Sequence, residues 1–190
     1  MEIHYGLTTI KKLDSSVVTI GSYDGIHRGH FHLINRVKSS AILHGVESVI
    51  ITFNPHPRNI INKNKDSIEL IMSLERKIEL LSNMNISMLV ILEFDDSLMT
   101  LKAKDFLDNI VVKNFNPKSI IAGKNHAFGY KRTGNTSFLD DYCKKKQIQL
   151  EVVNPLKDGE KIISSTNIRN LIENGYIRRA NYELGSIFGF

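Results

Sequence analysis

Val17-Val18-Thr19-Ile20-Gly21-Ser22-Tyr23-Asp24-Gly25-Ile26-His27-Arg28-Gly29-His30 runs from a β-branched apolar stretch, through a turn punctuated by three glycines, into an amphipathic segment. The apolar run is short enough for a buried strand, and the residues from Phe31 to His44 have helical spacing. This strand–turn–helix unit sets the reading of the rest. Further strand-like runs fall at Ser48–Phe53, Met88–Leu92, Ser119–Ala122 and Gln149–Val153. Helices are expected between them over Ser73–Met84, with Ser73 as N-cap, over Leu101–Val112, and over Ser137–Lys146, with Thr136 capping. Two more should close the chain, Thr166–Asn174 and Ile177–Leu184, with Gly175 and Gly185 as stops. Alternation of this kind predicts an α/β fold: a Rossmann-like, doubly wound parallel sheet of five strands with helices on both faces.

Composition narrows the class without naming a partner. The 190 residues suit one domain, and 42% hydrophobic with 24% charged residues is ordinary globular usage. Cys143 is the single cysteine, so no internal disulfide can form and a reducing, cytoplasmic setting is expected. The opening residues Met1 to Tyr5 lack the basic and apolar regions of a signal peptide, and Met88–Leu92 is too short to span a bilayer. A net charge of +5 favours any polyanion and chooses none. The run Lys144-Lys145-Lys146 ends a predicted helix, where cations suit the dipole, and reads as a solvated face. Neither nucleic acid nor membrane is expected as a partner, and the sequence carries no signal for the oligomeric state.

In a doubly wound sheet, ligands lie beyond the carboxyl ends of the strands, and the unusual residues of this chain fall there. Gly21, Gly25 and Gly29 permit a tight turn with close backbone approach to a ligand. The next helix offers free N–H groups and a positive dipole end, to which His27 and His30 add imidazole donors for phosphate oxygens. Taken singly, each histidine reads as a polar loop residue or a cap; their shared place after the first strand favours an anion site. No conventional phosphate loop competes, since Gly129-x-x-x-x-Gly134 is followed by Asn135 and not by lysine. A metal centre at His27, His30 and His32 has no convincing carboxylate or cysteine partner nearby in sequence, and His30 and His32 do not share a helical face.

Three other loops carry candidate chemistry. Thr52-Phe53-Asn54-Pro55-His56-Pro57 ends the second strand, and its two prolines stiffen it. Gly123-Lys124-Asn125-His126-Ala127-Phe128-Gly129 places an amide and an aromatic after the fourth strand, with Lys131 and Arg132 next on a glycine-bounded stretch. Ile163-Ser164-Ser165-Thr166-Asn167-Ile168-Arg169 caps a helix with hydroxyls and adds a guanidinium one turn in, a second anion site.

His27-Arg28-Gly29-His30 resembles the H-x-G-H signature of the nucleotidyltransferase superfamily, which by itself leaves pantetheine phosphate, nicotinamide mononucleotide and choline or glycerol phosphate open as acceptors. The longer string from Gly21, with the T-F-x-P-H-P, Gly-to-Phe-Gly and I-S-S-T-x-I-R loops, resembles the bacterial riboflavin kinase/FAD synthetase family in its FMN adenylyltransferase module. That resemblance implies transfer of AMP from ATP to FMN, giving FAD and pyrophosphate. Mg²⁺ is expected with ATP, its protein ligand unread.

The resemblance also distributes roles. His27 and His30 would act on the phosphates around the scissile bond, and Ser165, Thr166 and Arg169 on the departing pyrophosphate, with Asn125 completing the catalytic set. Substrate binding would fall to Gly21, Ser22, Tyr23, Asp24, Gly25, Gly29, Asn54, Pro55, His56, Pro57, Gly123, Phe128, Arg132 and Ser164. Asp24 is expected to orient the turn and not to act as a base. His126 stands where the family more often has an aromatic. Near Leu184-Gly185 the family leads into a riboflavin kinase module with a P-T-A-N motif, which these residues lack. Residues 1–190 are thus expected to form one adenylyltransferase domain that does not phosphorylate riboflavin. Two alternatives stay open, a nucleotidyltransferase for another phosphate acceptor and a flavin- or nucleotide-binding module without turnover.

Overall fold

The computed structural model describes residues 1–61 and 68–189. Its centre is a parallel sheet of β1 (Glu2–Tyr5), β2 (Ser16–Ile20), β3 (Glu47–Asn54), β4 (Met88–Glu93), β5 (Pro117–Gly123) and β6 (Gln149–Val153), in the order β1-β4-β3-β2-β5-β6. The five expected strands are all present within two residues of their predicted limits. The sheet nevertheless has six strands, not five. β1 pairs with β4 at the edge, Glu2 opposite Met88, and three of its four residues are exposed, so it carries no buried apolar run to announce it.

The inner strands are buried on both faces, which is why they read as unbroken apolar runs and not as alternation. Val17, Ile50, Leu89 and Ile121 face one layer, which includes α1 (Arg28–His44) and α3 (Leu74–Ser82). Val18, Val49, Val90 and Ile120 face the other, built around Phe106, Leu107, Phe115, Leu139 and Tyr142. Between β4 and β5 lie α4 (Asp96–Thr100) and a helical run comprising α5 (Ala103–Phe106), a π-turn over Leu107–Val112 and α6 (Lys113–Phe115), ended by Asn116 at φ 41°. Leu101 itself is extended, so the helix predicted from there begins two residues later.

The caps explain the other offsets. Ser73 caps α3 as predicted, its hydroxyl accepting from the Arg76 N–H at 3.1 Å. In α7 (Thr136–Lys146) the cap is Asn135 and not Thr136, because the Asn135 side-chain oxygen accepts from Phe138 N–H at 2.9 Å. α8 (Ser165–Glu173) is capped by Ser164, one residue earlier than predicted, and α9 (Ile177–Leu184) ends on Gly185 at φ 73°. A short hairpin of β7 (Lys157–Asp158) and β8 (Lys161–Ile162) leads into α8, while α2 (Pro57–Ile61) comes after β3.

From β2 the chain winds outward through β3 and β4, then crosses to β5 and β6 on the other side. The topological switch lies between β2 and β5, and the crevice beyond their carboxyl ends is where such sheets bind ligands.

Candidate active site

The histidine turn leaves β2 at that switch. α1 begins at Arg28, three residues before the predicted Phe31, because His27 is its N-cap: Nδ1 accepts from the His30 backbone N–H at 3.2 Å. With Nδ1 used as an acceptor, the proton of neutral His27 sits on Nε2, where it can be donated to a ligand. The two imidazoles stack with centroids 3.7 Å apart and planes 14° from parallel. Burial pushes the His27 pKa down to about 4, and burial, with repulsion from His27 next in size, holds His30 well below its usual value. Both rings are therefore neutral at pH 7. His30 Nδ1 is buried without a hydrogen-bond partner among the described residues, an unmet polar atom of the kind a ligand satisfies.

The pair lines a cleft of about 770 Å³ into which the loops after β2, β3, β5 and β6 converge. Its lining is of two kinds. First-turn residues of α1 and α8 supply Gly29, His30, Ser165 and Thr166, two helix N-termini facing one space, joined by Ser164, Arg169, Arg132, Arg58 and Lys124. Phe53, Phe94, Leu98, Phe106 and Phe128 form an apolar wall, with Phe53 edge-on to Phe94 at 5.7 Å. No carboxylate lines the cleft among the described residues, so its field favours anions.

Of the predicted residues, Gly21, Ser22, Tyr23, His27, Gly29, His30, His56, Pro57, Gly123, Asn125, Phe128, Arg132, Ser164, Ser165, Thr166 and Arg169 are brought together here. Asp24, Gly25, Asn54 and Pro55 are not among the lining. His56 Nδ1 accepts from Arg58 N–H at 3.1 Å, and burial takes its pKa down to about 4. His126 stacks on Phe128 at 5.4 Å and is likewise lowered to about 4, by burial and then by Arg132. Lys131 and Arg132 take positive φ, 52° and 58°, in the turn that swings Arg132 to the cleft.

Arg169 differs most from its sequence reading. Its Nη2 donates to Asp24 Oδ2 at 2.5 Å and its Nε to the Glu69 carbonyl at 3.0 Å, while Ser165 Oγ donates to the Asp24 carbonyl at 2.7 Å. Residues expected to hold pyrophosphate thus also bind the second helix to the histidine turn. Sequence reasoning places the loops holding Arg58 and Lys124 at the crevice without giving these two a role; it misses Phe94, Phe106 and the Asn154-Pro155 segment of the lining, and Lys77 behind the turn. Asn154-Pro155 lies directly after a predicted strand, a signal that could have found it. Lys77 shares a helical face with Leu81 and has the sequence pattern of a solvent residue among apolar neighbours.

The buried neutral histidines give a signed prediction for stability. Their folded pKa values lie below the unfolded 6.5, so between pH 6.5 and 4 the unfolded chain binds more protons and stability must fall as pH falls. His27 alone contributes up to about 3 kcal/mol over that window. Melting temperatures should drop steadily from about pH 6.5 to pH 4.5, and His27→Gln should flatten the slope. A melting temperature flat across that range would count against buried neutral rings.

A parallel, doubly wound sheet with an imidazole pair and two convergent helix N-termini at its switch point defines a Rossmann-like α/β fold with an anion-binding cleft. The same fold, at 13% identity and a TM-score of 0.55, occurs in a Thermus thermophilus pantothenate synthetase structure, with 98% of this chain and 77% of that one covered. The FAD synthetase family model matches residues 9–167, and the chain belongs to that family. It is 33% identical over 99% of its length to a Buchnera aphidicola (Acyrthosiphon pisum) bifunctional riboflavin kinase/FMN adenylyltransferase, and 29% identical over 97% to a Listeria monocytogenes FAD synthetase. It spans 60% of the first relative's length and 75% of the second's. A crystal structure of a Streptococcus pneumoniae protein described as a macrolide-efflux protein superposes with a TM-score of 0.84 at 26% identity, covering 97% of this chain and 61% of that one. Among the described residues of this chain, no helix is long and apolar enough to cross a membrane.

Proposed function

We propose that the chain is an FMN adenylyltransferase, forming FAD and pyrophosphate from FMN and MgATP. A phosphate oxygen of FMN attacks the α-phosphorus of ATP, the new P–O bond forms, and the bond to the β-phosphate bridging oxygen breaks with its electron pair leaving on pyrophosphate. Such transfer needs alignment and charge neutralisation more than covalent help. The observation that carries the reading is the unpartnered Nδ1 of His30 in a cleft that two helix N-termini share and no described carboxylate lines. His27 and His30 would donate to the phosphates around the scissile bond, and Thr166 with the α8 N–H groups to the leaving pyrophosphate. Asn125 and the aromatic wall suit the acceptor's ribityl and ring portions.

The residues of the cleft do not make a magnesium site by themselves, since no described carboxylate faces it and no group of three or more histidine, cysteine, aspartate or glutamate residues gathers among the described residues. The ion in this scheme arrives on the triphosphate as part of the substrate. The 190 residues are read as one adenylyltransferase domain. The buried thiol of Cys143, 1% exposed, is compatible with the reducing cytoplasm.

Incubating the purified chain with MgATP and FMN should yield FAD and pyrophosphate in equal amounts by chromatography and phosphate assay. Absence of FAD, with pyrophosphate released on another phosphate monoester, would replace FMN as acceptor. Binding of both ligands without pyrophosphate would make the chain a binding module. With riboflavin in place of FMN, no FMN should form.

A further inference from the structure

We propose that Lys77, which does not itself line the cleft, is a positioning residue for the transfer reaction, holding the histidine turn through the Ser22 carbonyl. The inference rests on the adenylyltransferase reading above. Lys77 lies on α3, none of whose residues lines the cleft, and is 7% exposed. Its Nζ donates to the Ser22 carbonyl at 2.7 Å, and the Thr52 hydroxyl donates to the same oxygen at 3.2 Å. The next residue, Tyr23, is a non-glycine at φ 47°, a conformation that persists only where its surroundings over-determine it. Around it the Tyr23 hydroxyl pairs with Thr19 at 2.8 Å, Ile71 N–H donates to Asp24 Oδ1 at 3.0 Å, and Arg169 and Ser165 bind Asp24 from α8. Four residues beyond Tyr23 stands His27, so the register of the imidazole pair is set by these anchors.

Stability alone does not call for a lysine here. Position 77 shares a buried face with Leu81, where an apolar side chain of the same length would fill the space without desolvating a charge. Replacing buried charges by apolar groups is often neutral or stabilising. What methionine could not do is fix the carbonyl that starts the turn, or supply positive charge behind a phosphate site. Asp24 is ion-paired with Arg169 and attracts Lys77 at longer range, so two cations face one carboxylate beneath the turn. Repulsion from Lys77 also reaches His30 and His56, where it helps keep the rings unprotonated.

The test compares Lys77→Met and Lys77→Gln in the full chain. Both should keep a cooperative unfolding transition within a few degrees of the parent. Misplacement of a reacting group by about 1 Å costs on the order of 100-fold, so Lys77→Met should lower kcat for FAD formation about 10- to 100-fold while KM for FMN moves less than about threefold. Lys77→Gln, which keeps a donor for Ser22, should recover part of the lost kcat. A kcat for Lys77→Met within twofold of the parent overturns the proposal, as does an unfolded Lys77→Met protein alongside a fully active Lys77→Gln protein. Calorimetric titration with MgATP alone separates this from the acceptor assignment. Should the parent bind MgATP yet make no FAD, the reaction assigned above fails, and Lys77→Met is judged by affinity. A fivefold or greater weakening supports the positioning role, and parental affinity overturns it.

Discussion

Alanine in place of His30 should lower the rate of FAD formation by about 10²- to 10⁴-fold and leave the melting temperature within a few degrees of the parent. The two halves of that expectation have separate causes. The rate loss comes from removing a donor in a site otherwise built of helix N-termini, where a single preorganised donor to developing charge is worth on the order of 10²–10³. Stability survives because the cap does not depend on the side chain: His27 Nδ1 accepts from the backbone N–H of residue 30, which alanine retains at the start of α1. Lost with the ring are its stack on His27 at 3.7 Å and its edge contact with Tyr23 at 5.2 Å. His27→Ala differs in kind, since it deletes the capping acceptor as well as a donor and should cost about 1 kcal/mol of stability on top of activity. A His30→Ala protein with parental kcat would remove the imidazole pair from the mechanism.

The parts of this architecture legible in the sequence are those whose signal is local. Buried parallel strands declare themselves as β-branched runs, and the histidine turn, the Pro-His-Pro loop and the Ser-Ser-Thr helix each hold their chemistry within a short stretch of chain. Sequence reading fails where the determinant is long-range or where exposure hides the pattern. β1 is four residues long and mostly exposed, and it is a strand only because β4 offers an edge. Asn135, not Thr136, caps α7 because its carboxamide reaches Phe138, a choice between two adjacent good caps that composition leaves undecided. Arg169, read from its motif as a phosphate ligand, lines the cleft, but its pairing with a residue 145 positions away is not legible in the sequence. Lys77 is invisible for a related reason: periodicity assigns lysine to water, whereas the hydrogen bond to the Ser22 carbonyl and the attraction of Asp24 make its burial tolerable.

Asp24→Ala should be the most destabilising single change near the site, by about 3–5 kcal/mol. The carboxylate is 3% exposed and serves two partners: it accepts from Ile71 N–H and from Arg169, whose side chain is 12% exposed, and it offsets the charge of Lys77 as well. Alanine takes the acceptor from Arg169 Nη2 and from the Ile71 N–H and leaves two buried cations without a counter-charge, although Lys77 keeps the Ser22 carbonyl and Arg169 Nε the Glu69 carbonyl. For a chain of this size, that loss corresponds to a fall in melting temperature of roughly 6–20 °C. Arg169→Leu should cost less, because it removes one cation and leaves Asp24 with Ile71 and Lys77. The double variant Asp24→Ala/Arg169→Leu should be more stable than the sum of the single losses predicts, with a coupling of at least about 1 kcal/mol. Coupling near zero would show that the 2.5 Å pair contributes nothing beyond its neighbours. Activity should fall in both single variants even where they stay folded, since the ion pair is one of two side-chain links between α8 and the histidine turn among the described residues. The other link, Ser165 Oγ to the Asp24 carbonyl, depends on backbone at position 24 and survives the substitution. Arg169→Leu with parental kcat would mean that this remaining link suffices to align the two helix N-termini.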